Sequence, residues 1–250
     1  KRSLLLLTTF SRQYTLLKAC VKLFFHIPKF CVKIVQMNLF SKRVVQILFK
    51  QYKFSPKKWF GQNFLIDKRV ARKIIKAAGL KAKDIILEIG PGVGNLTCEL
   101  SPRVKKVISV EKDSQMVEIL RETMRDLKNV KIIQGHILKL DPKRYLPASR
   151  LRSRRWQAGT LKSKNYKIVA SLPYYIISPV IRKFLEMQYD KPRTMVLMVQ
   201  KEVAQRICAK PPHMSLLSVS VQFYAKPQII SFVSKKSFWP QPKVDSAIIR

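Results

Sequence analysis

Three glycines, Gly90, Gly92 and Gly94, follow an apolar run in the sequence LEIGPGVGN. Glycine at these positions lets the backbone turn tightly after a strand and approach a ligand closely. The last glycine of the dinucleotide-binding pattern GxGxxG is absent, because Asn95 stands there. Glu111 follows 21 residues after Gly90, where a carboxylate can accept hydrogen bonds from both hydroxyls of a ribose. The pattern predicts a site for a nucleoside cofactor without a pyrophosphate; the alternative is an ordinary turn from a sheet into a helix.

A second group of residues that could take part in binding or catalysis is SLPYY, residues 171–175. Here the Ser171 hydroxyl, the Leu172 carbonyl and the Tyr174 ring occur within four positions. A planar base with an exocyclic amine needs hydrogen-bond acceptors for the amine and a flat face for stacking. The segment therefore predicts a base-binding site, and the alternative is a buried turn.

The elements that must position these residues alternate between strand and helix. Apolar runs predict strands at 85–89, 104–110, 130–134, 166–170, 194–199, 228–233 and 246–249. Helices are predicted from residue 95 and over 113–127, 178–187 and 201–209. This alternation predicts an α/β fold with right-handed crossovers and a mostly parallel, doubly wound sheet.

The composition favours a polyanionic partner. The chain of 250 residues has a net charge of +36, and 47% of its residues are hydrophobic, which excludes a disordered basic tail. Residues 1–66 and 142–184 contain no acidic residue and carry 13 and 11 basic residues. We expect nucleic acid as the partner, with an anionic membrane surface as the alternative.

The cysteines, at positions 20, 31, 98 and 208, form no CxxC pair, and the chain has three histidines. We therefore expect no metal site and no disulfide scaffold, and we predict a reducing compartment, the cytoplasm.

The N-terminal part divides into two segments. Residues 1–36 are basic and lack an apolar run long enough to span a bilayer, so we expect no stable membrane insertion. A transit peptide, an amphipathic membrane helix and residues that are not native to the protein are the three interpretations. Residues 38–54 predict a short helix with Val44, Val45, Leu48 and Phe49 on one face.

We predict a basic N-terminal extension over residues 1–56. Residues 57–250 then form one domain. The stretch 148–165, ASRLRSRRWQAGTLKSKN, has no apolar period and predicts a basic inserted loop whose arginines contact RNA phosphates.

Seven segments of the chain resemble motifs of the small-subunit ribosomal RNA adenine dimethyltransferases of the KsgA type. These are class I methyltransferases that use S-adenosylmethionine. The segments occur in the family's order and cover the chain from residue 57 to its end. They are GQNFLID (61–67), LEIGPGVGNLT (87–97), VEKD (110–113), GHILKLD (135–141), SLPYYIISPVIRKFLE (171–186), QKEVAQRI (200–207) and FWPQPKVDSA (238–247).

The resemblance implies a Rossmann-like class I methyltransferase fold, S-adenosylmethionine as cofactor, and a monomer that acts on small-subunit rRNA or a pre-30S particle. The implied cofactor-binding residues are Gln62, Asn63, Leu65, Gly90, Gly92, Glu111, His136, Ile137 and Ser171. The implied residues around the target adenine are Ser171, Leu172, Pro173, Tyr174 and Phe238, with the Tyr174 and Phe238 rings holding the flipped base.

The chain departs from the family's pattern at two site positions. His136 replaces an Asp that accepts from the amine of the cofactor's adenine, and a neutral imidazole offers one acceptor nitrogen. Ser171 replaces an Asn whose amide oxygen faces the target amine, and a hydroxyl accepts but reaches less far. From the resemblance, we also expect the small C-terminal helical domain of the family to be largely absent from this chain. We expect cofactor binding to be retained, and full dimethylation is the step that these departures put in question.

The expected function is methyl transfer to the 6-amino group of two adjacent adenosines near the 3′ end of small-subunit rRNA. One alternative is a catalytically weakened rRNA-binding assembly or transcription factor. The other is a large-subunit rRNA adenine methyltransferase.

Overall fold

The computed structural model describes residues 38–57, 60–141, 166–187 and 191–250. The predictions for residues 1–36 and for the basic loop at 148–165 lie outside the described residues. No helix in the described ranges is long and apolar enough to cross a membrane.

The described chain contains seven α-helices and nine strands. The helices are α1 (Lys42–Gln51), α2 (Lys68–Ala78), α3 (Asn95–Leu100), α4 (Ser114–Thr123), α5 (Ile177–Leu185), α6 (Lys201–Ile207) and α7 (Leu216–Tyr224). The strands are β1 (Phe64–Leu65), β2 (Ile85–Ile89), β3 (Lys106–Glu111), β4 (Val130–Gln134), β5 (Tyr166–Ser171), β6 (Thr194–Gln200), β7 (Ile229–Val233), β8 (Phe238–Trp239) and β9 (Ser246–Ile249).

Seven strands form one sheet in the order β4-β3-β2-β5-β6-β9-β7. Strands β2 to β6 are parallel, and β9 and β7 add an antiparallel edge. The predicted α/β, mostly parallel, doubly wound sheet is therefore confirmed. The chain runs from β2 outward to β3 and β4, and then returns to place β5 on the other side of β2. Ligands of such sheets bind at this switch point, outside the carboxyl ends of the strands.

The apolar runs form strands because both faces of the sheet are covered. In β2, Leu87 and Ile89 join a core cluster with residues of α5 and α6, whereas Ile86 joins a second cluster with residues of α2 and α3. Successive side chains of a strand point to opposite faces, so a continuous apolar run supplies both clusters at once.

Helix α1 packs into a third cluster, beside α4 and β1. Its residues Val45, Leu48 and Phe49 are buried, and Val44 is half-buried, as the predicted apolar face requires. The aromatic ring of Phe49 packs edge-on against that of Phe64 at 4.9 Å between centroids. The sequence predicts a domain start at residue 57, but α1 precedes that residue and belongs to the same packed core.

Candidate functional site

The glycine turn lies at the carboxyl end of β2, as predicted. Gly90, Gly92 and Gly94 have φ angles of 67°, 58° and 93°, in the left-handed region that glycine adopts without strain. A Cβ atom on Gly92 would lie 3.1 Å from Cδ1 of Phe64. The backbone of the turn is therefore packed closely against β1, and a larger residue at Gly92 has no room.

Glu111 ends the neighbouring strand, β3, and its carboxylate faces the glycine turn. Oε1 accepts hydrogen bonds from the backbone N–H groups of Lys112 and Asp113 at 2.8 and 3.0 Å. Oε2 accepts a long hydrogen bond from the Gly92 N–H at 3.4 Å. Burial raises the pKa of Glu111, while these N–H groups act in the opposite direction. The two oxygens are thus held in a fixed orientation beside the turn, where they can accept from a ligand's hydroxyl groups.

Two cavities adjoin along the carboxyl ends of β4, β3, β2 and β5 and share Gln62, Gly90, Glu111 and Pro173. The first, which we call the base slot, is also lined by Phe60, Ile89, Val110, Lys112, Asp113, Gly135, His136, Ile137, Tyr175 and Ile176. The second, which we call the turn cavity, is also lined by Gly61, Asn63, Phe64, Leu65, Pro91, Gly92, Asn95, Leu96, Met116 and Ser171. Together they form a cleft with a mostly apolar end and a more polar end.

The segment before β1 forms one wall of this cleft. The Gln62 amide oxygen accepts from the Lys57 N–H at 2.8 Å, and its nitrogen donates to Oδ2 of Asp113 at 3.1 Å. The Lys57 ammonium pairs with the same Asp113 oxygen at 3.0 Å. Although burial acts to raise it, the pKa of Asp113 is lowered by these partners. Both ends of the Gln62 amide therefore fix the wall, and its predicted contact with the cofactor stays a prediction.

Asn95 is a positioning residue that the sequence does not reveal. Its side-chain nitrogen donates to the carbonyls of Leu39 and Leu65, at 2.7 and 2.6 Å, and only 4% of the residue is exposed. The amide thereby joins the segment before α1, the strand β1 and the glycine turn. Asn63, at the same wall, donates to the Gly61 carbonyl at 3.3 Å.

Glu88, the last residue but one of β2, carries a buried carboxyl group and is 1% exposed. Oε2 accepts from the hydroxyls of Thr97 and Ser109 at 2.6 and 2.8 Å, whereas Oε1 has no partner among the described residues. Desolvation raises the pKa of Glu88 to about 7, and the nearby Glu111 acts in the same direction. The carboxyl group is therefore protonated in a substantial fraction of molecules near neutral pH.

The predicted base-binding segment lies beside the glycine turn, at the end of β5. Ser171 lines the turn cavity and Pro173 lines both cavities, whereas Leu172 is buried in the core. The Tyr174 hydroxyl lies 3.2 Å from the Ser246 hydroxyl, and burial raises the pKa of Tyr174. The structure thus places Ser171 next to the turn, because β2 and β5 are adjacent parallel strands, and the acceptor roles of Ser171 and Leu172 stay predictions.

The Phe238 ring is buried and is not freely accessible for stacking against a base. It lies on β8, opposite Leu65 of β1, and is only 5% exposed. Its side chain belongs to the core cluster on the α2 side of the sheet, whereas Tyr174 packs against the cluster on the other side. A base can stack on the Phe238 ring only if this part of the chain moves, and its role stays a prediction.

His136 lies after the carboxyl end of β4 and lines the base slot, next to Ile137. Its Nδ1 atom accepts a hydrogen bond from the Leu138 N–H at 3.2 Å. The acceptor nitrogen that we expected for the cofactor's amine is therefore already occupied by the backbone. This contact leaves no free acceptor nitrogen on a neutral imidazole, and the predicted contact of His136 with the cofactor stays a prediction.

A metal site was not expected, and the described ranges contain no group of three or more His, Cys, Asp or Glu residues that could hold a metal ion. The described cysteines, Cys98 and Cys208, are free thiols whose pKa burial raises.

Comparisons with known proteins give consistent matches. The family model described as ribosomal RNA adenine dimethylase matches residues 53–250. The Ribosomal RNA small subunit methyltransferase A of Dehalococcoides mccartyi is 43% identical over 199 residues, which are 80% of this chain and 63% of that protein. The protein of the same name from Natranaerobius thermophilus is 41% identical over 224 residues, covering 86% of this chain and 72% of that protein. This chain thus spans less than two thirds of the Dehalococcoides relative.

Solved structures agree with the sequence matches. A dimethyladenosine transferase from Plasmodium falciparum has a TM-score of 0.62 and 33% identity, and the match covers 74% of this chain and 62% of that chain. The 23S rRNA methyltransferase ErmE has a TM-score of 0.61 and 28% identity, covering 75% of this chain and 68% of that chain. The predicted class I methyltransferase fold is confirmed by these similarities.

Proposed function

The chain belongs to the ribosomal RNA adenine dimethylase family, as its seven motifs predict, and we propose that it methylates small-subunit rRNA. The reaction transfers methyl groups from S-adenosylmethionine to the 6-amino group of two adjacent adenosines near the 3′ end. The observation that carries this proposal is the juxtaposition of the glycine turn, Glu111 and Ser171 around one cleft. The names of the small-subunit relatives support the choice of substrate.

The cleft fits S-adenosylmethionine, a nucleoside joined to an amino acid. Glu111 would accept from its ribose hydroxyls, and the base slot would take its adenine between apolar side chains. The glycine turn lines the adjoining turn cavity, which would hold the methionine part of the cofactor. The cofactor supplies a methyl group that is already activated by the sulfonium.

Because the methyl group is activated, the protein's own task is mainly to align the target amine. The Ser171 hydroxyl and the Leu172 carbonyl would accept from that amine and stabilise the positive charge that develops on nitrogen. The Tyr174 ring would support the base. Its hydroxyl lies within hydrogen-bond distance of the Ser246 hydroxyl, at 3.2 Å, and this contact restrains the ring. No general base is required, since the proton can leave to water.

The basic surface supports rRNA as the partner, because a net charge of +36 favours a polyanion. Action as a monomer and location in the cytoplasm remain predictions that accompany this function.

A second candidate is an rRNA-binding assembly factor without efficient methyl transfer. The observation that favours it is Ser171, a short side chain at the end of β5 where the family has Asn. This candidate predicts binding of the cofactor and of RNA without dimethylated product.

We expect Glu111→Ala to weaken binding of S-adenosylmethionine about fivefold to 150-fold. The reason is the loss of charge-assisted hydrogen bonding to the ribose, worth about 1–3 kcal/mol in total. Titration calorimetry measures the change, and Glu118→Ala, on the exposed face of α4, is the control that leaves affinity unchanged. Equal affinity of Glu111→Ala and the parent chain would remove Glu111 from the cofactor site.

We expect Ser171→Asn to raise the rate of methyl transfer and Ser171→Ala to lower it about tenfold, or about 1.4 kcal/mol in barrier. The amide oxygen of Asn reaches one bond further toward the target amine, whereas Ala offers no acceptor. Single-turnover assays on under-methylated 30S particles at pH 8 measure these rates. Cofactor affinity should stay the same in all three proteins. If Ser171→Ala transfers methyl groups as fast as the parent, Ser171 has no acceptor role.

A further inference from the structure

His136 is a polar side chain in the lining of the base slot, on the β4 side of the slot. Glu111 ends β3 and Gly135 follows the end of the adjacent strand β4, with Glu111 and Gln134 paired in register. A nucleoside whose ribose is held by Glu111 therefore extends its base toward β4. The slot walls are apolar at Phe60, Ile137 and Ile176, so a flat ring is accommodated by contact with hydrocarbon and aromatic surface.

The local hydrogen bonding of His136 fixes which ring nitrogen carries the proton. Nδ1 accepts from the Leu138 N–H, so Nδ1 is unprotonated. The proton of a neutral imidazole is then on Nε2, which is a donor. The loop that carries the Leu138 N–H is itself held, because the Lys183 ammonium donates to the carbonyls of Leu138 and Leu140 at 2.8 and 2.7 Å.

The surroundings of His136 keep the imidazole neutral. Burial lowers the pKa of His136, and the positive charges of Lys112, Lys139 and Lys183 act in the same direction. A second proton would also break the contact from Leu138, because Nδ1 would become a donor that faces another donor. The side chain therefore offers one donor and no free acceptor to a ligand in the slot.

We infer that His136 recognises the cofactor's adenine by donating from Nε2 to the ring nitrogen N1, and not by accepting from the 6-amino group. This inference rests on the proposed function. The edge of adenine farthest from the sugar carries N1, an acceptor, beside the 6-amine, a donor. Since Glu111 lies at the sugar end, His136, which follows the end of the neighbouring strand β4, would face that far edge. A carboxylate at position 136 would select the amine, whereas this imidazole selects the acceptor next to it.

Two analogues of S-adenosylhomocysteine test this polarity by calorimetry at pH 8, with the 250-residue chain. In the 1-deaza analogue a C–H group replaces N1, and in the 6-deamino analogue a hydrogen replaces the amine. We expect the parent chain to bind the 1-deaza analogue about fivefold to tenfold more weakly than S-adenosylhomocysteine. The 6-deamino analogue should bind within about twofold.

Two variants of equal shape supply the matched comparison. In His136→Asn, the amide oxygen can accept from the Leu138 N–H and the amide nitrogen can donate, so the parent's order of affinities should persist. In His136→Asp, the second carboxylate oxygen can only accept, so the order should reverse, with loss of affinity for the 6-deamino analogue.

The outcomes separate this inference from the proposed function. A parent chain that tolerates the 1-deaza analogue, or that depends on the 6-amine, overturns the assignment of His136 while leaving the cofactor site in place. A parent chain that fails to bind S-adenosylhomocysteine at all overturns both.

Discussion

Replacement of Gly92 by valine is expected to reduce the affinity for S-adenosylmethionine more than about 1000-fold. Gly92 has a φ of 58°, and a Cβ there would lie 3.1 and 3.2 Å from two ring carbons of Phe64. A β-branched residue adds two methyl groups and a strained backbone at the point where the cofactor must approach the turn. Titration calorimetry on the folded variant measures the loss.

Gly79→Val is the matched control for backbone strain. Gly79 ends α2 with a φ of 51°, and nothing lies within 4 Å of a Cβ built there. Both variants should lower the unfolding free energy, but only Gly92→Val should lose the cofactor. Normal cofactor binding by Gly92→Val would contradict the placement of the cofactor at the turn.

Replacement of Asn95 by aspartate is expected to lower the free energy of unfolding by about 3–4 kcal/mol and to weaken cofactor binding. The Asn95 amide donates to the buried carbonyls of Leu39 and Leu65, and a carboxylate has no hydrogen for either. Each buried acceptor that loses its partner costs about 1–3 kcal/mol. Urea unfolding measures the loss of stability, provided that the m-value does not change. Calorimetry measures the loss of cofactor affinity.

Asn129→Asp separates the two effects. Its side-chain nitrogen also donates to two carbonyls, those of Ser101 and Val104 at 2.8 and 3.0 Å, but it lies near the amino end of β3. We expect a similar loss of stability with unchanged cofactor affinity. If the two variants bind the cofactor equally well, Asn95 is a structural residue only.

The parallel strands could be predicted because each is a continuous apolar run that both faces of the sheet bury. The strands 85–89, 130–134 and 246–249 have the predicted bounds. Strands β1 and β8 could not be predicted, since two residues show no periodicity and their pairing is set by tertiary packing. Helix α2 was not predicted, although both of its capping residues are local features of the sequence. Asp67 caps its first turn and Gly79 caps its last.

The site could be predicted as far as backbone topology determines it. Gly90 directly follows a parallel strand, and Glu111 and Ser171 each end one, so their meeting at one edge follows from the order of the elements. The donor character of His136 depends on one hydrogen bond from Leu138, and the burial of Phe238 depends on packing across the chain. No sequence pattern indicates the donor character of His136 or the burial of Phe238.

Methyl transfer to under-methylated 30S particles tests the central claim most directly. The parent chain is incubated with S-adenosylmethionine and the particles, and the nucleosides of the small-subunit rRNA are then measured by mass spectrometry. The account predicts methylated adenosine near the 3′ end, with dimethyladenosine as the product and monomethyladenosine accumulating before it because Ser171 holds the amine weakly. No transferred methyl group, under conditions where calorimetry shows bound cofactor, would contradict the proposed reaction and favour the assembly-factor function.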